Sequence, residues 1–359
     1  MERQPAPTRP PRRRARTGLV SSIVMVLLVG VLSGCGVRLE TPPPTEPVPD
    51  ALEQVRRTAV ADALGVAELA TTAQRADGLA EPVIAELARV AADAHAHADA
   101  LGGEYDSGLG LVDPDLDLPP SPSAVPAADP ADVVSALSDA AGRSRTAAST
   151  TSSGDLARLI ASVGAAQSVS AARLATLADV PAPPAVVPQM PVPGAASEEP
   201  APTASPTDVA TTSPGGEVPV LPSGLTASDF RALVLAEDGA RYALEVRAAR
   251  TSGDERARLL ALSRVHGDRA QAWAELGSVA GTAQDPRRVA YVLPRDVDDA
   301  ALVRTVQTGL ATDYATLVGT TAPSTRALVV ELLVEAAHTL DAWGAAPATF
   351  PGLPEQAAG

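Results

Sequence analysis

The sequence predicts an all-α protein built from two groups of packed helices. Apolar residues recur at helical spacing in both halves of the chain, and the alternation typical of half-buried strands is lacking. Alanine fills many of the positions that face inward, and hydrophobic residues make up 45% of the 359-residue chain. Helices with mostly short connections bury such stripes most simply as bundles.

Residues 1–34 have the three parts of an export signal. An arginine-rich leader precedes an apolar segment from Gly18 to Leu32, and small residues follow that segment. The apolar segment is shorter than the roughly 20 residues that a helix needs to cross a bilayer. We therefore predict a signal peptide rather than a membrane-spanning helix.

The stretch Leu32-Ser33-Gly34-Cys35 resembles the lipobox of bacterial lipoproteins. The resemblance implies that Cys35 receives a diacylglyceryl group and becomes the mature N-terminus, anchored to the outer face of the cell membrane. Two acyl chains are enough for stable anchoring. The alternative is a secretory signal with an unrelated cysteine at the cleavage point. Cys35 is the single cysteine of the chain, so no disulfide forms within it.

After a short proline-rich tether at residues 35–46, residues 47–178 are predicted to form an alanine-rich helical bundle. Tyr105 is the only aromatic residue before the second half, so this bundle buries little area per residue. Its helices are predicted at about 47–76, 80–102, 129–148 and 154–178.

Residues 179–225 are predicted to be a disordered linker, because Pro, Ala, Ser and Thr dominate and apolar periodicity is lacking. As a flexible coil, a segment of this length has an end-to-end distance of roughly 40 Å. We therefore expect the second half of the chain to be able to reach well away from the membrane, the more so if its prolines hold the linker extended over about 100 Å.

Residues 226–356 repeat the helical layout with larger core residues, among them Trp273, Tyr314 and Trp343. The first helix is predicted to be capped by Ser228 or Asp229. The others are predicted at about 254–280, about 297–319, and from Pro323 to about Gly344. These four helices predict a four-helix bundle.

This half resembles the ferritin-like lipoprotein domain of actinobacteria, a domain of unknown function. The resemblance covers about 228–356 and rests on five features: Leu235-Ala-Glu-Asp-Gly-Ala-Arg-Tyr242, His266 with Arg269, Tyr291-Val-Leu-Pro294, Asp313-Tyr314, and Phe350-Pro-Gly-Leu-Pro-Glu355. It implies a ferritin-like bundle without an established activity. The family carries Glu-His where this chain has Glu237-Asp238. A weaker likeness between Val163–Ala171 and Val334–Ala342 predicts that the first half is a duplicated bundle.

Metal-binding ferritin-like bundles place a Glu on two helices and Glu-x-x-His on the other two. Glu335 and His338 have that spacing, but they lie roughly 100° and over 150° from the centre of their helix's apolar stripe. His266 lacks the companion glutamate, and Glu237 is predicted to lie on a solvated polar face. We therefore expect no metal and no cofactor. The alternative is a metal site formed by Glu237, His266, Glu335 and His338.

A polar cluster is predicted instead at the same place. His266 and Arg269 fall within the apolar stripe of one helix, and Asp313 falls within that of the next. A buried charge needs a partner, so we expect an Arg269–Asp313 ion pair with His266 beside it. Such a cluster is either structural or lines a site for a small ligand or partner.

Composition and motifs limit the function further. The chain has 43 acidic against 28 basic residues and a net charge of −15, which disfavours nucleic acid as a partner. Phosphate-binding loops and nucleophile elbows are also lacking. We expect a non-enzymatic, lipid-anchored extracytoplasmic protein that binds an unknown envelope protein or has a structural role. The alternatives are an iron- or manganese-dependent redox or storage protein and a carrier of a small apolar ligand.

Overall fold

A computed structural model describes residues 48–106, 127–191, 221–294 and 297–356. Within these ranges the regular structure is helical and contains no strand, which confirms the all-α class. The predicted signal peptide, the lipobox with Cys35, the tether and residues 192–220 of the predicted linker lie outside the described residues. The helices are α1 (Ala51–Ala73), α2 (Glu81–Ala100), α3 (Pro130–Thr150), α4 (Gly154–Ala178), α5 (Ala227–Ala248), α6 (Gly253–Leu276), α7 (Asp299–Thr320) and α8 (Ala327–Ala342), followed by a 3₁₀ turn at Pro354–Gln356.

Side-chain caps set the start of several helices. Asp129 and Asp132 form a capping box at the start of α3. At α5 the cap is Thr226, whose hydroxyl accepts from the Asp229 backbone, while the Asp229 side chain returns a bond to the Thr226 backbone. The prediction of Ser228 or Asp229 as the cap was therefore wrong: Asp229 holds the third position of the capping box.

The two halves share part of their helix contacts. In the first half α1 and α4 each pack on both α2 and α3; in the second half α5 packs on α6 and α7, and α7 packs on α8. The contact between α2 and α4 has no equally extensive counterpart between α6 and α8, so the likeness is partial and the duplication stays a prediction.

The two halves also pack on each other, although the sequence predicts a disordered linker between them. Helix α4 contacts both α7 and α8, and α3 contacts α8. A single core cluster contains Ile160 of α4, Trp273 of α6 and Leu332 of α8. The part of the predicted linker that the structure describes also packs on this core, through Val186 and Met190.

The reason lies in helix α4, which is buried on all sides. Every residue from Ile160 to Gln167 is buried, more than two full turns. A helix with a single apolar stripe has one exposed face, whereas one without an exposed face belongs to an interior. One side of α4 packs on α3, and the other packs on the second half.

Small residues allow the halves to approach closely. A Cβ atom on Gly154, at the start of α4, would lie 2.0 Å from the carbonyl oxygen of Gly319 near the end of α7. Beside this contact, buried Arg326 donates to the carbonyl of Thr151 at 2.8 Å and to that of Thr321 at 2.6 Å. One guanidinium thus satisfies backbone acceptors in both halves.

The segment after α8 lies against the first half. The carbonyl of Thr349 accepts a hydrogen bond from His97 Nε2 at 2.8 Å, and the Phe350 ring meets the edge of the His97 ring at 5.2 Å between centroids. The Ser162 hydroxyl donates to the Pro351 carbonyl at 2.8 Å, and Glu355 pairs with Arg158 at 2.5 Å. The closing motif Phe350–Glu355 therefore joins the two halves.

Acid is expected to destabilise the protein through His97. Burial lowers the pKa of this imidazole, while the Thr349 carbonyl and Asp93 oppose that effect and Arg89 adds to it. A histidine in the unfolded chain titrates near its ordinary pKa of about 6.5. Below a pH of about 6.5 the unfolded chain binds a proton at His97, whereas the folded protein does not until the pH is lower. The free energy of unfolding therefore falls as the pH drops below that value.

We expect His97→Gln to flatten the fall in unfolding free energy between about pH 7 and pH 5, measured by urea denaturation at each pH. Exposed His95 on the same helix provides the control, and His95→Gln should leave the slope unchanged. An unchanged slope in His97→Gln would show that His97 does not carry this pH dependence.

Candidate functional site

A buried carboxylate lies at the centre of the second bundle. Glu237 of α5 has no exposed surface. One of its oxygens lies 2.6 Å from His266 Nδ1, and the other accepts a short hydrogen bond from the Tyr314 hydroxyl. These contacts join α5 to α6 and to α7.

The prediction that Glu237 lies on a solvated face was wrong. Glu237 continues the row of Leu233, Ala240 and Leu244, which are all buried on one side of α5. Arg241 and Glu245 follow Glu237 at four-residue intervals, but their mutual ion pair lies at the edge of that row and is partly exposed. The four-residue spacing was mistaken for a solvent-facing ladder.

The second nitrogen of His266 is also satisfied. His266 Nε2 lies 2.8 Å from the amide nitrogen of Gln307, which is the donor because Nδ1 carries the proton toward Glu237. Gln307 of α7 is only 2% exposed. Its burial was not predicted from the sequence, although it shares a helical face with the buried Val303, Leu310 and Tyr314. We call Glu237, His266, Gln307 and Tyr314 the central network.

Arg269 is paired, but with a different partner from the one predicted. Its guanidinium forms a short ion pair with Glu335 of α8, and Asp313 is exposed. The prediction of an Arg269–Asp313 pair was wrong, because the inward position on this part of α7 belongs to Tyr314, which is 1% exposed. Burial and the neighbouring Glu237 raise the pKa of the Tyr314 hydroxyl well above its ordinary value.

His338 faces the first half of the chain. Its Nε2 lies 2.8 Å from the hydroxyl of Ser168 on α4, and burial lowers the pKa of its imidazole. Glu335 and His338, which have the Glu-x-x-His spacing, are therefore engaged in different directions: Glu335 with Arg269 and His338 with Ser168.

Asp238, next to Glu237, has a separate role. It is 3% exposed and accepts from the Tyr291 hydroxyl at 2.6 Å and from Arg241 Nε at 2.8 Å. Burial and the bond to Asp238 raise the pKa of Tyr291 to about 12. Asp238 thus fixes the connection between α6 and α7.

These residues do not fit a ferritin-type metal centre. Such a centre needs several carboxylates and histidines with free lone pairs directed at one point. Here both oxygens of Glu237 and both ring nitrogens of His266 are engaged by side chains, and Glu335 is held by a cation. The described residues contain no group of three or more His, Cys, Asp or Glu that could hold an ion.

The central network and the closing motif belong to one recognisable unit. Residues 230–355 form a DUF4439 domain, a domain of unknown function. This finding confirms the resemblance to a domain of unknown function that the motifs of residues 228–356 indicated. The DUF4439 domain contains most of α5 and all of α6 to α8, and the helices α1 to α4 lie outside it.

Other comparisons add nothing to this assignment. No curated protein and no solved structure matched the chain. Among the helices in the described ranges, none combines the length and apolarity needed to span a membrane.

Proposed function

We propose that the protein is a lipid-anchored, extracytoplasmic envelope protein whose DUF4439 domain is a non-enzymatic, ferritin-like module for partner binding or structural support. One observation carries the non-enzymatic part of this proposal. The central network fills the middle of the bundle with donors and acceptors that satisfy one another. Both ring nitrogens of His266 are used within this network, so it presents no imidazole lone pair to a metal or a reacting molecule.

The energetics support a structural role for the network. A fully buried carboxylate is costly unless hydrogen bonds compensate for its lost hydration. Glu237 receives one such bond from His266 of α6 and one from Tyr314 of α7. Because a shift of either helix would leave a buried polar group unpaired, the network fixes how α5, α6 and α7 pack.

The membrane part of the proposal rests on the sequence. A basic leader, an apolar segment and Leu32-Ser33-Gly34-Cys35 stand in the order of a lipoprotein signal. Lipid on Cys35 would provide the membrane contact, and an envelope protein of unknown identity would be the partner. The net charge of −15 argues against a nucleic-acid partner.

Elemental analysis tests the non-enzymatic role. Residues 36–359, which keep the helices α1 to α8, are purified after growth with iron, manganese and zinc supplied. We expect far less than one metal ion per chain. A near-stoichiometric metal that is lost in Glu237→Gln and His266→Gln, but kept in the exposed control Glu245→Gln, would overturn the proposal in favour of a metal-dependent redox or storage protein.

Membrane fractionation tests the anchor. In a bacterial host with lipoprotein processing, the full chain should appear in the membrane fraction and incorporate an alkyne-tagged fatty acid. Cys35→Ser should remove the label and prevent membrane retention after washing. Gly34→Ala, which keeps a small residue before the cysteine, should retain both. Unlabelled wild-type protein would contradict lipidation.

A further inference from the structure

A groove of about 600 Å³ lies between α6 and α8 of the DUF4439 domain. Leu262 and Val265 of α6 form one wall, and Trp343 also lines the groove. The chain segment after α4 supplies another wall through Val186 and Val187. This volume falls within the range of small-molecule sites, which are mostly apolar with a few placed polar groups.

Two polar side chains of the groove are already engaged within the protein. Glu335, which lines it, is neutralised by Arg269. His338, also in the lining, is engaged with Ser168. These polar groups already have partners within the protein, so they do not supply an uncompensated charge to a ligand.

Arg258 differs from the other polar groups of the groove. Its guanidinium carbon lies 4.2 Å from the centroid of the Trp343 ring, and Nη2 donates to the Ala342 carbonyl at 3.1 Å. Its ion pair with Glu255 is 3.6 Å long, with the side chains 51% and 38% exposed, so it contributes little. Guanidinium has five N–H donors in a planar fork that suits a carboxylate.

We propose that the groove binds an amphipathic carboxylate, with its apolar chain between α6, α8 and Val186 and its acid group on Arg258. The apolar walls favour the hydrocarbon chain of the ligand, because binding removes that chain from water. The guanidinium, held in place by Trp343 and the Ala342 carbonyl, selects the charge. This inference goes beyond the proposed partner-binding role and depends neither on the lipid anchor nor on the central network.

Decanoate and 1-decanol, which share a chain length and differ in charge, are suitable probes for isothermal titration calorimetry. Residues 36–359 should bind decanoate more tightly than 1-decanol. Because an ion pair formed by a half-exposed guanidinium is weak, Arg258→Gln should weaken decanoate binding about 2- to 5-fold and leave 1-decanol binding nearly unchanged. Arg264→Gln, on the exposed surface of the same helix, should change neither.

A second variant locates the apolar part of the site. Ala261 lines the groove, and Ala261→Trp should abolish binding of both probes while the circular dichroism melt stays that of a folded helical protein. Three results would overturn the inference: no decanoate binding at millimolar concentration, equal affinity for the two probes, or binding that survives Ala261→Trp. The metal content and the membrane fractionation do not depend on decanoate binding, so the proposed function is tested separately.

Discussion

Replacing Glu237 by alanine is expected to lower the free energy of unfolding by about 3–5 kcal/mol. The substitution leaves the Tyr314 hydroxyl without its acceptor and His266 without its partner, both in a region from which water is excluded. It also leaves a cavity where the side chain was. Urea denaturation at pH 7, followed by far-UV circular dichroism, measures the loss.

Two further variants provide comparisons for this loss of stability. Glu245→Ala removes a carboxylate that is 59% exposed and paired with Arg241, and we expect it to cost at most about 1 kcal/mol. Glu237→Gln keeps the shape and one acceptor but presents an amide donor to another donor, so an intermediate loss is expected. If Glu237→Ala were as stable as Glu245→Ala, the buried network would not hold the three helices together.

Gly352→Ala is expected to cost about 2–5 kcal/mol, the sum of a strained backbone and a steric clash. Gly352 has φ of +78°, and an added Cβ would lie 2.6 Å from the Ala311 carbonyl oxygen and 2.9 Å from the Ala315 Cβ. Since backbone atoms form part of this contact, the closing segment must move, which pulls Thr349 and Pro351 away from the first half. Thermal and urea unfolding both measure the effect.

Two other glycines separate the contributions. Gly344 has φ of +72° with no atom within 4 Å of an added Cβ, so Gly344→Ala reports backbone strain alone, about 1–2 kcal/mol. Gly309 lies within α7 with the same open space, and Gly309→Ala should stabilise the protein by about 0.5–1 kcal/mol. Equal losses for Gly352→Ala and Gly344→Ala would mean that the closing segment does not pack on α7.

The helical class was predictable from the sequence because its signal is local. Spacing of apolar residues located the eight helices of the described ranges, and the predicted limits of α4, 154–178, are those of the structure. Helical spacing did not predict the buried face of α5 correctly, because Glu237 lies on that face among apolar residues. A glutamate has no sequence signature of burial: what makes its burial tolerable is Tyr314 and His266, which are far away along the chain.

The arrangement of the halves was not predictable, for a related reason. Alanine is compatible with an exposed face and with a tightly packed one, so the alanine-rich sequence of α4 does not show that both sides are covered. Proline-rich composition predicted a flexible linker, but a linker does not prevent the elements it joins from packing together. The Arg269–Glu335 pair was also not predictable. Its prediction depends on knowing that Tyr314, and not Asp313, takes the inward position on α7.

The contact of α4 with α7 and α8 lies within one chain, so its formation does not depend on the protein concentration. Two separate chains that met through this surface would dissociate on dilution, and their melting temperature would depend on concentration. Here both sides of the surface belong to one polypeptide, so their encounter is intramolecular and their ratio is fixed at one to one. The melting temperature should therefore be the same in nanomolar and in micromolar solutions.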